Sequence, residues 1–318
     1  MTTRTSRPYA GEADLPAIAE LVSACDAADG TGNGTSVEEL QQTLSDPSVD
    51  AARNFRLWEA AGVLVGYGEL YSAMSDEGVQ TRLFFYAAPH APERDALGKE
   101  IVAWAEQRSA EIGKAHDLPT NLRVTALEAD AWRRKILEQA GFMIERYALD
   151  MLMLLDGPLP EADLPDGFTL RVARRNDAAH WTTLYNQSFV DQWDYRPWTP
   201  EQFTPWFDDP DNNPELCLIA QAPDGTFAAF CWCTIFAAEN ERLGYNEGHV
   251  DLLGTRPDFR KRGLGRAMLL HGLRRLQAAG VQVARIGVDA TNPSGAGRLY
   301  ESVGFRTAAT WIHYVKVL

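Results

Sequence analysis

Glu247, His249 and Asp251 stand at alternate positions in the segment NEGHVDLLGT. In a strand, period two puts all three side chains on one face. Histidine titrates near neutrality, so His249 flanked by two carboxylates suits proton removal from an attacking nucleophile. A polar strand face covered by solvent or by another domain would look the same. Shortly after come Arg260-Lys261-Arg262-Gly263-Leu264-Gly265-Arg266 and a helical pattern running from about Leu264 to Ala279. Met268, Leu269, Leu273 and Leu276 repeat at helical spacing, with Gly265 and Gly272 on the same face and Arg262, Arg266 and Arg274 away from it. A glycine-rich turn opening a helix leaves backbone N–H groups unpaired, with the positive end of the helix dipole behind them. That is an anion site suited to a pyrophosphate, and glycine lets the backbone approach it. An ordinary strand–turn–helix with basic surface residues has the same signature.

Two other features bear on chemistry. Residues 191–209 hold Trp193, Tyr195, Trp198, Phe203, Trp206 and Phe207 among aspartates. Such a set can hold a cationic or sugar-like amine, or fill a satellite core under a lid. The four cysteines, Cys25, Cys217, Cys231 and Cys233, follow no disulfide or zinc spacing, so no metal is expected. Cys231 and Cys233 sit in the apolar run AAFCWCTIF, a buried strand with no evident histidine partner. A covalent thiol intermediate is therefore disfavoured. The glycine-rich loop at 29–36 has no strand directly before it and is not read as a phosphate site.

These residues need elements to position them. At 318 residues, 45% hydrophobic and 23% charged, the chain predicts a soluble protein of two domains. A net charge of -14 argues against a nucleic-acid partner. No apolar run approaches the roughly 20 residues of a membrane span, and the N-terminus lacks a signal-peptide core, so the expected location is cytoplasmic. The Pro- and Asp-rich piece at 157–166 reads as a linker between a domain at 1–156 and one at 167–318. Both halves run in the same order: strand, helix, irregular stretch, strands, a strand–helix–strand unit, then a short helix ending in Gly-Phe and a terminal strand. QAGFMIERYALDMLML closes the first half and SVGFRTAATWIHYVKV the second. Self-similarity at this scale is a duplicated domain of mixed α/β (α+β) type.

Arg260-x-x-Gly263-x-Gly265, with GVDATNPSGAGRLYESVGF downstream, resembles the signature of the GNAT (N-acetyltransferase) superfamily over roughly residues 168–318. The resemblance implies two tandem GNAT domains, each a mixed, mostly antiparallel sheet flanked by helices. It implies acetyl-CoA as co-substrate, its pyrophosphate on the amides of Arg260, Lys261, Arg262, Gly263, Leu264, Gly265 and Arg266. Its arm would pass Leu252, Leu253, Gly254 and Thr255, where two strands splay, with Asn292 near it. Tyr300 matches the tyrosine that faces the sulfur and would be the acid; by its own chemistry His249 is the candidate base, with Glu247 or Asp251 orienting it or acting through water. The aromatic stretch, with Trp193, Tyr195 and Trp198 foremost, would wall the acceptor site.

In the first half the same place reads AAPHAPERDALGKE, with Glu93 and Asp95 in the turn and Leu137 where the second half has Tyr300. Negative charge there opposes a phosphate, so this half is expected to be structural or regulatory. A tandem with a degenerate first copy resembles the mycothiol synthase family of actinobacteria. That family uses a strand carboxylate as base where this chain has His249. The expected reaction is acetyl transfer to a small-molecule primary amine by direct attack, in a monomer or a homodimer. A non-catalytic acyl-CoA sensor, a mycothiol synthase proper and transfer of a longer acyl group are the alternatives.

Overall fold

A computed structural model describes residues 4–30, 34–46, 49–75, 78–193, 195–209, 212–292 and 295–318. The chain divides into two compact units, Met1–Tyr147 with Thr310–Leu318, and Ala148–Ala309. In chain order the elements are β1 (Arg4–Pro8), α1 (Leu15–Asp29), α2 (Val37–Leu44), α3 (Ala51–Asn54), β2 (Phe55–Ala60), β3 (Val63–Ser75), β4 (Gly78–Ala87), α4 (Arg94–His116), β5 (Thr120–Leu127), α5 (Ala131–Gln139) and β6 (Met143–Leu154). They continue with β7 (Thr169–Val172), α6 (Ala178–Phe189), α7 (Pro200–Phe207), β8 (Cys217–Gln221), β9 (Phe227–Thr234), α8 (Ala237–Leu243), β10 (Glu247–Thr255), α9 (Leu264–Ala278), β11 (Val283–Asp289), α10 (Ala296–Val303) and β12 (Arg306–Val317).

The first unit's strands run β1-β2-β3-β4-β5-β12 and the second's β7-β8-β9-β10-β11-β6. In each, the first three pairings are antiparallel, the fourth parallel and the fifth antiparallel. The duplication read from the sequence is thus a repeat of one mixed, mostly antiparallel topology. Each unit is completed by a strand from the far half of the chain. Trp311–Val317 of β12 pair with β5, and residues 148–154 of β6 pair with β11. This differs from a division at residues 157–166. Both terminal strands alternate similarly, so side-chain pattern alone does not tell which sheet receives which.

The segment expected to be a linker is a strap. Ala162 and Leu155 are buried in the second unit's core. Arg274 donates to the Pro160 carbonyl, and Gln277 to those of Leu155 and Gly157. α9 covers one face of its sheet through Met268, Leu269, Leu273 and Leu276, none exposed. Gly272 permits that approach, since a Cβ there would lie 2.5 Å from Cys231 Sγ. The hairpin turn at Pro223-Asp224-Gly225 forms as expected, with Gly225 at φ +87° and the Thr226 amide donating to Asp224.

Candidate active site

β10 is the axis of the site. Its ladder with β11 runs only from Glu247↔Val283 to His249↔Arg285, while β11 stays paired with β6 as far as Asp289. From Val250 to Thr255, β10 is paired only to β9, with an irregularity between Val250 and Leu252. The bulge at Asp251 turns the strand and leaves an edge of backbone groups facing away from β9. The splay expected beside Leu252–Thr255 is present.

A cleft of about 710 Å³ begins at that edge, lined by Leu253, Gly254 and Thr255. It passes Arg260, Lys261, Gly263, Leu264, Gly265 and Arg266 and is closed by Asn292, Leu299 and Tyr300. This falls in the usual range for small-molecule sites. α9 opens at Gly263 with φ 85° and no side-chain cap, after Lys261 at φ 62°. Two left-handed residues turn successive amides toward one side, and the first amides of the helix have no intrahelical partner. These features fit a diphosphate with a long arm. The Arg260 guanidinium is engaged by protein partners. It donates to the Thr255 and Ser188 carbonyls and to Asp191 at 3.1, 3.0 and 2.8 Å, locking the loop to the end of α6. Arg262 lies over the Phe259 ring at 5.4 Å and is absent from the lining. Leu252 packs with the aromatic cluster below the sheet. Gly265 faces the cleft; a Cβ there would make only ordinary contacts with Leu299 and Thr255. Gly254 is the tight position, where a Cβ would meet Phe230 at 2.3 Å and Ser188 at 2.9 Å.

Glu247, His249 and Asp251 form one polar cluster on the side of β10 away from α9. Glu247 is buried and held by Arg285 Nε and Nη2 at 2.8 and 2.9 Å. His249 Nε2 lies 3.4 Å from its Oε1, the Tyr245 hydroxyl donates to its Oε2 at 3.3 Å, and Glu239 lies 3.8 Å from the same imidazole nitrogen. Arg285 also bonds Asp150, and Thr234 bonds Asp251. Burial alone would raise the Glu247 carboxyl, but hydrogen bonds from His249 and Arg285 outweigh it and hold it at about 2. For His249, burial lowers basicity, and the bond to Glu247 with the charges of Asp251 and Glu239 overcomes it, so the imidazole is raised above its ordinary range. Asp251 reaches solvent at the mouth of the cluster, yet it is crowded enough that desolvation raises it.

Tyr300 lines the cleft at 6% exposure, and burial pushes its phenol above the ordinary range. Its hydroxyl bonds to no described residue. Ser188 Oγ, at the cleft wall, is likewise buried with no partner among the described residues. The aromatic stretch behaves as a core. Trp198 is pinned through its backbone to Asn186 and packs with Trp206 near the fully buried Trp181. Tyr195 lies partly buried against the same cluster, and Trp193 is 36% exposed. None of the three lines the cleft; Asp194 and Pro293–Ser294 lie outside the described residues, as do residues 31–33 of the glycine-rich loop.

Sequence reasoning missed Arg285, Asp150 and Ser188. A lone arginine in VARIGVD and a lone aspartate in LDMLML were visible signals, since an isolated charge in an apolar strand needs a partner. Cys231 and Cys233 are fully buried under Gly272, across the sheet from the polar cluster. A hydrogen bond from Cys231 and burial push the Cys233 thiol far up, which agrees with no thiolate role. In the first unit, Glu93 caps α4 in a left-handed conformation, Asp95 bonds Lys135 and Trp132, and Leu137 is fully buried.

The acetyltransferase (GNAT) family model matches residues 179–305. A mycothiol acetyltransferase of Kineococcus radiotolerans is 31% identical over 307 residues, 94% of this chain and 91% of that protein. Among solved structures, a GCN5-related N-acetyltransferase from Sphaerobacter thermophilus superposes with a TM-score of 0.80 at 24% identity, covering 99% of this chain and 95% of that one. A tandem GNAT protein from the clavulanic acid biosynthesis pathway gives 0.73 at 14% identity, with 99% and 98% covered.

Proposed function

This chain belongs to the GNAT acetyltransferase family and is an acyl-CoA-dependent acetyltransferase, and from that premise we propose that its second unit moves the acetyl group of acetyl-CoA to a primary amine of a small molecule by direct attack. One observation carries the reading: a single cleft joins the Gly263 turn, the open edge of β10 and the Tyr300 hydroxyl, which bonds to no described residue. The family's enzymatic activity sets aside the binding-only alternative.

In this mechanism the amine nitrogen attacks the thioester carbonyl, the new C–N bond forms and the C–S bond breaks. His249 takes the proton that the amine nitrogen sheds as the C–N bond forms, and Glu247, fixed by Arg285, holds the imidazole in place. Backbone N–H groups on the open edge between Val250 and Thr255 face the carbonyl oxygen as charge develops on it. Tyr300 donates its proton to the leaving sulfur. Four carboxylates (Glu239, Glu247, Asp150, Asp251) against His249 and Arg285 give the cluster a negative excess that favours a cationic amine. The first unit is then structural or regulatory. The name of the Kineococcus relative, similar over most of both chains, favours a second reading in which the acceptor is mycothiol-related.

The test is release of free thiol from acetyl-CoA over a panel of small amines, mycothiol precursors included. At least one amine is expected to be turned over. Tyr300→Phe should lower kcat by about 10²-fold or more with the KM for acetyl-CoA little changed. Equal kcat in wild type and Tyr300→Phe sinks the assignment of the acid.

A further inference from the structure

We propose that the first unit carries a binding site for a small organic ammonium ion, with Glu69 as its anion and Tyr9, Phe55, Tyr67, Tyr71 and Tyr86 as an aromatic cage. The site is independent of the acetyl-transfer cleft and does not rest on the function proposed for it.

The cage follows from strand alternation. Gly66 and Gly68 face α4, where a Cβ would lie 2.9 Å from Leu97 and from Trp104. Tyr67, Glu69 and Tyr71 therefore all point to the opposite face of β3. Register brings Phe55 of β2 opposite Glu69, and Tyr86 of β4 opposite Tyr67. Phe55 meets Tyr9, Tyr67 and Tyr71 edge-to-face at 6.3, 6.0 and 5.8 Å, and Tyr86 stacks on Tyr67 at 6.2 Å. α1 and α2 roof this face with apolar side chains such as Ile18 and Leu40, leaving a cavity of about 130 Å³ onto which all five rings and Glu69 open.

Glu69 is an unusual carboxylate for such a place. The hydroxyls of Tyr67 and Tyr71 both donate to its Oε2, at 2.9 and 3.4 Å. Oε1 accepts no hydrogen bond from a described residue, and no described lysine, arginine or histidine pairs with Glu69. Burial lifts the carboxyl to about 7 even though both tyrosine bonds favour the ionised form. Glu69 is half-buried; an anion so placed among apolar side chains without a counter-ion is costly, and a cation in the cavity removes that cost. The ring faces add cation–π attraction, strongest where water is excluded. At ~30 Å³ per water, the space equals roughly four waters. It takes an ammonium head with a few carbons and excludes a nucleotide. In the second unit the matching face of β9 is packed solid by Trp181, Trp206 and Trp232 and offers no such carboxylate.

Isothermal titration of the full chain with choline, above neutral pH so that Glu69 is ionised, tests the site. The uncharged isostere 3,3-dimethyl-1-butanol and the Glu69→Gln protein serve as comparisons. Choline should bind saturably, and both the isostere and the Glu69→Gln protein should show at least about tenfold weaker binding. The choline N-methyl proton signal should shift upfield on binding, because its methyls lie against ring faces. No saturable choline binding, equal binding of the alcohol, or undiminished binding by a folded Glu69→Gln protein overturns the proposal. If Glu69→Gln does not fold, the wild-type comparison decides: an absent upfield shift overturns the site, and a present one with the isostere rejected supports it.

Discussion

Glu247 and His249 are a pair whose two pH limits can be separated. Glu247 is held at about 2 in the folded chain against an ordinary carboxylate near 4.3. Its contribution is therefore complete above that ordinary value and is lost as pH falls toward 2. His249 is raised, so its contribution is complete below the ordinary imidazole value of about 6.5 and is lost as pH rises through the folded value. Denaturant titrations of wild type and His249→Gln should differ most between those limits, and the difference should shrink on the alkaline side. As a base, His249 works only when neutral, so kcat/KM should rise with pH along a limb lying above 6.5. That limb should vanish in His249→Gln. A limb unchanged in the variant assigns the proton transfer to Asp251 or to water. The sequence placed these three residues on one face, and they do form one cluster. It could not show that Arg285 and Asp150 complete the cluster, because both arrive from other strands through register alone.

At the scale of elements, the turn between β10 and α9 was the most legible feature, because local chemistry fixes it. Glycine at φ 85° and an uncapped helix start follow from four residues of sequence. The roles of its arginines were not legible. Arg260 ties the loop to α6 and Arg262 stacks on Phe259, contacts that depend on tertiary packing. The aromatic stretch was open between pocket and core, and Trp181, distant in sequence, gathers it into a core. Gly263→Val tests the turn directly. A β-branched residue resists a positive φ, so the amides should rotate off the anion. The KM for acetyl-CoA should rise by about tenfold or more, with the melting temperature reduced by only a few degrees, as expected for one strained loop residue of roughly 1–2 kcal/mol. An unchanged KM removes the turn from cofactor binding.

At the scale of the whole molecule, repetition was legible but the exchange of final strands was not. Hydrophobic alternation reports which face of a strand is buried and is silent about which sheet receives it. The exchange makes the last residues of the chain matter to the first unit. Ile312 and Tyr314 are 1% and 0% exposed and sit in the core that includes Leu122 and Val124. Lys316 bonds Glu106 and the Ala140 carbonyl there. Two buried side chains of this size contribute about 3–6 kcal/mol, a large share of a domain's stability. Deleting residues 310–318 should therefore strip hydrogen-exchange protection from those amides of Thr120–Leu127 that bond to β12, while β4 still pairs with Thr120–Val124. Protection across Val283–Asp289 should persist, because that strand is held by β6 and β10. If each half instead kept its own terminal strand, the same deletion would expose Val283–Asp289 and spare Thr120–Leu127, and that result would rule the exchange out.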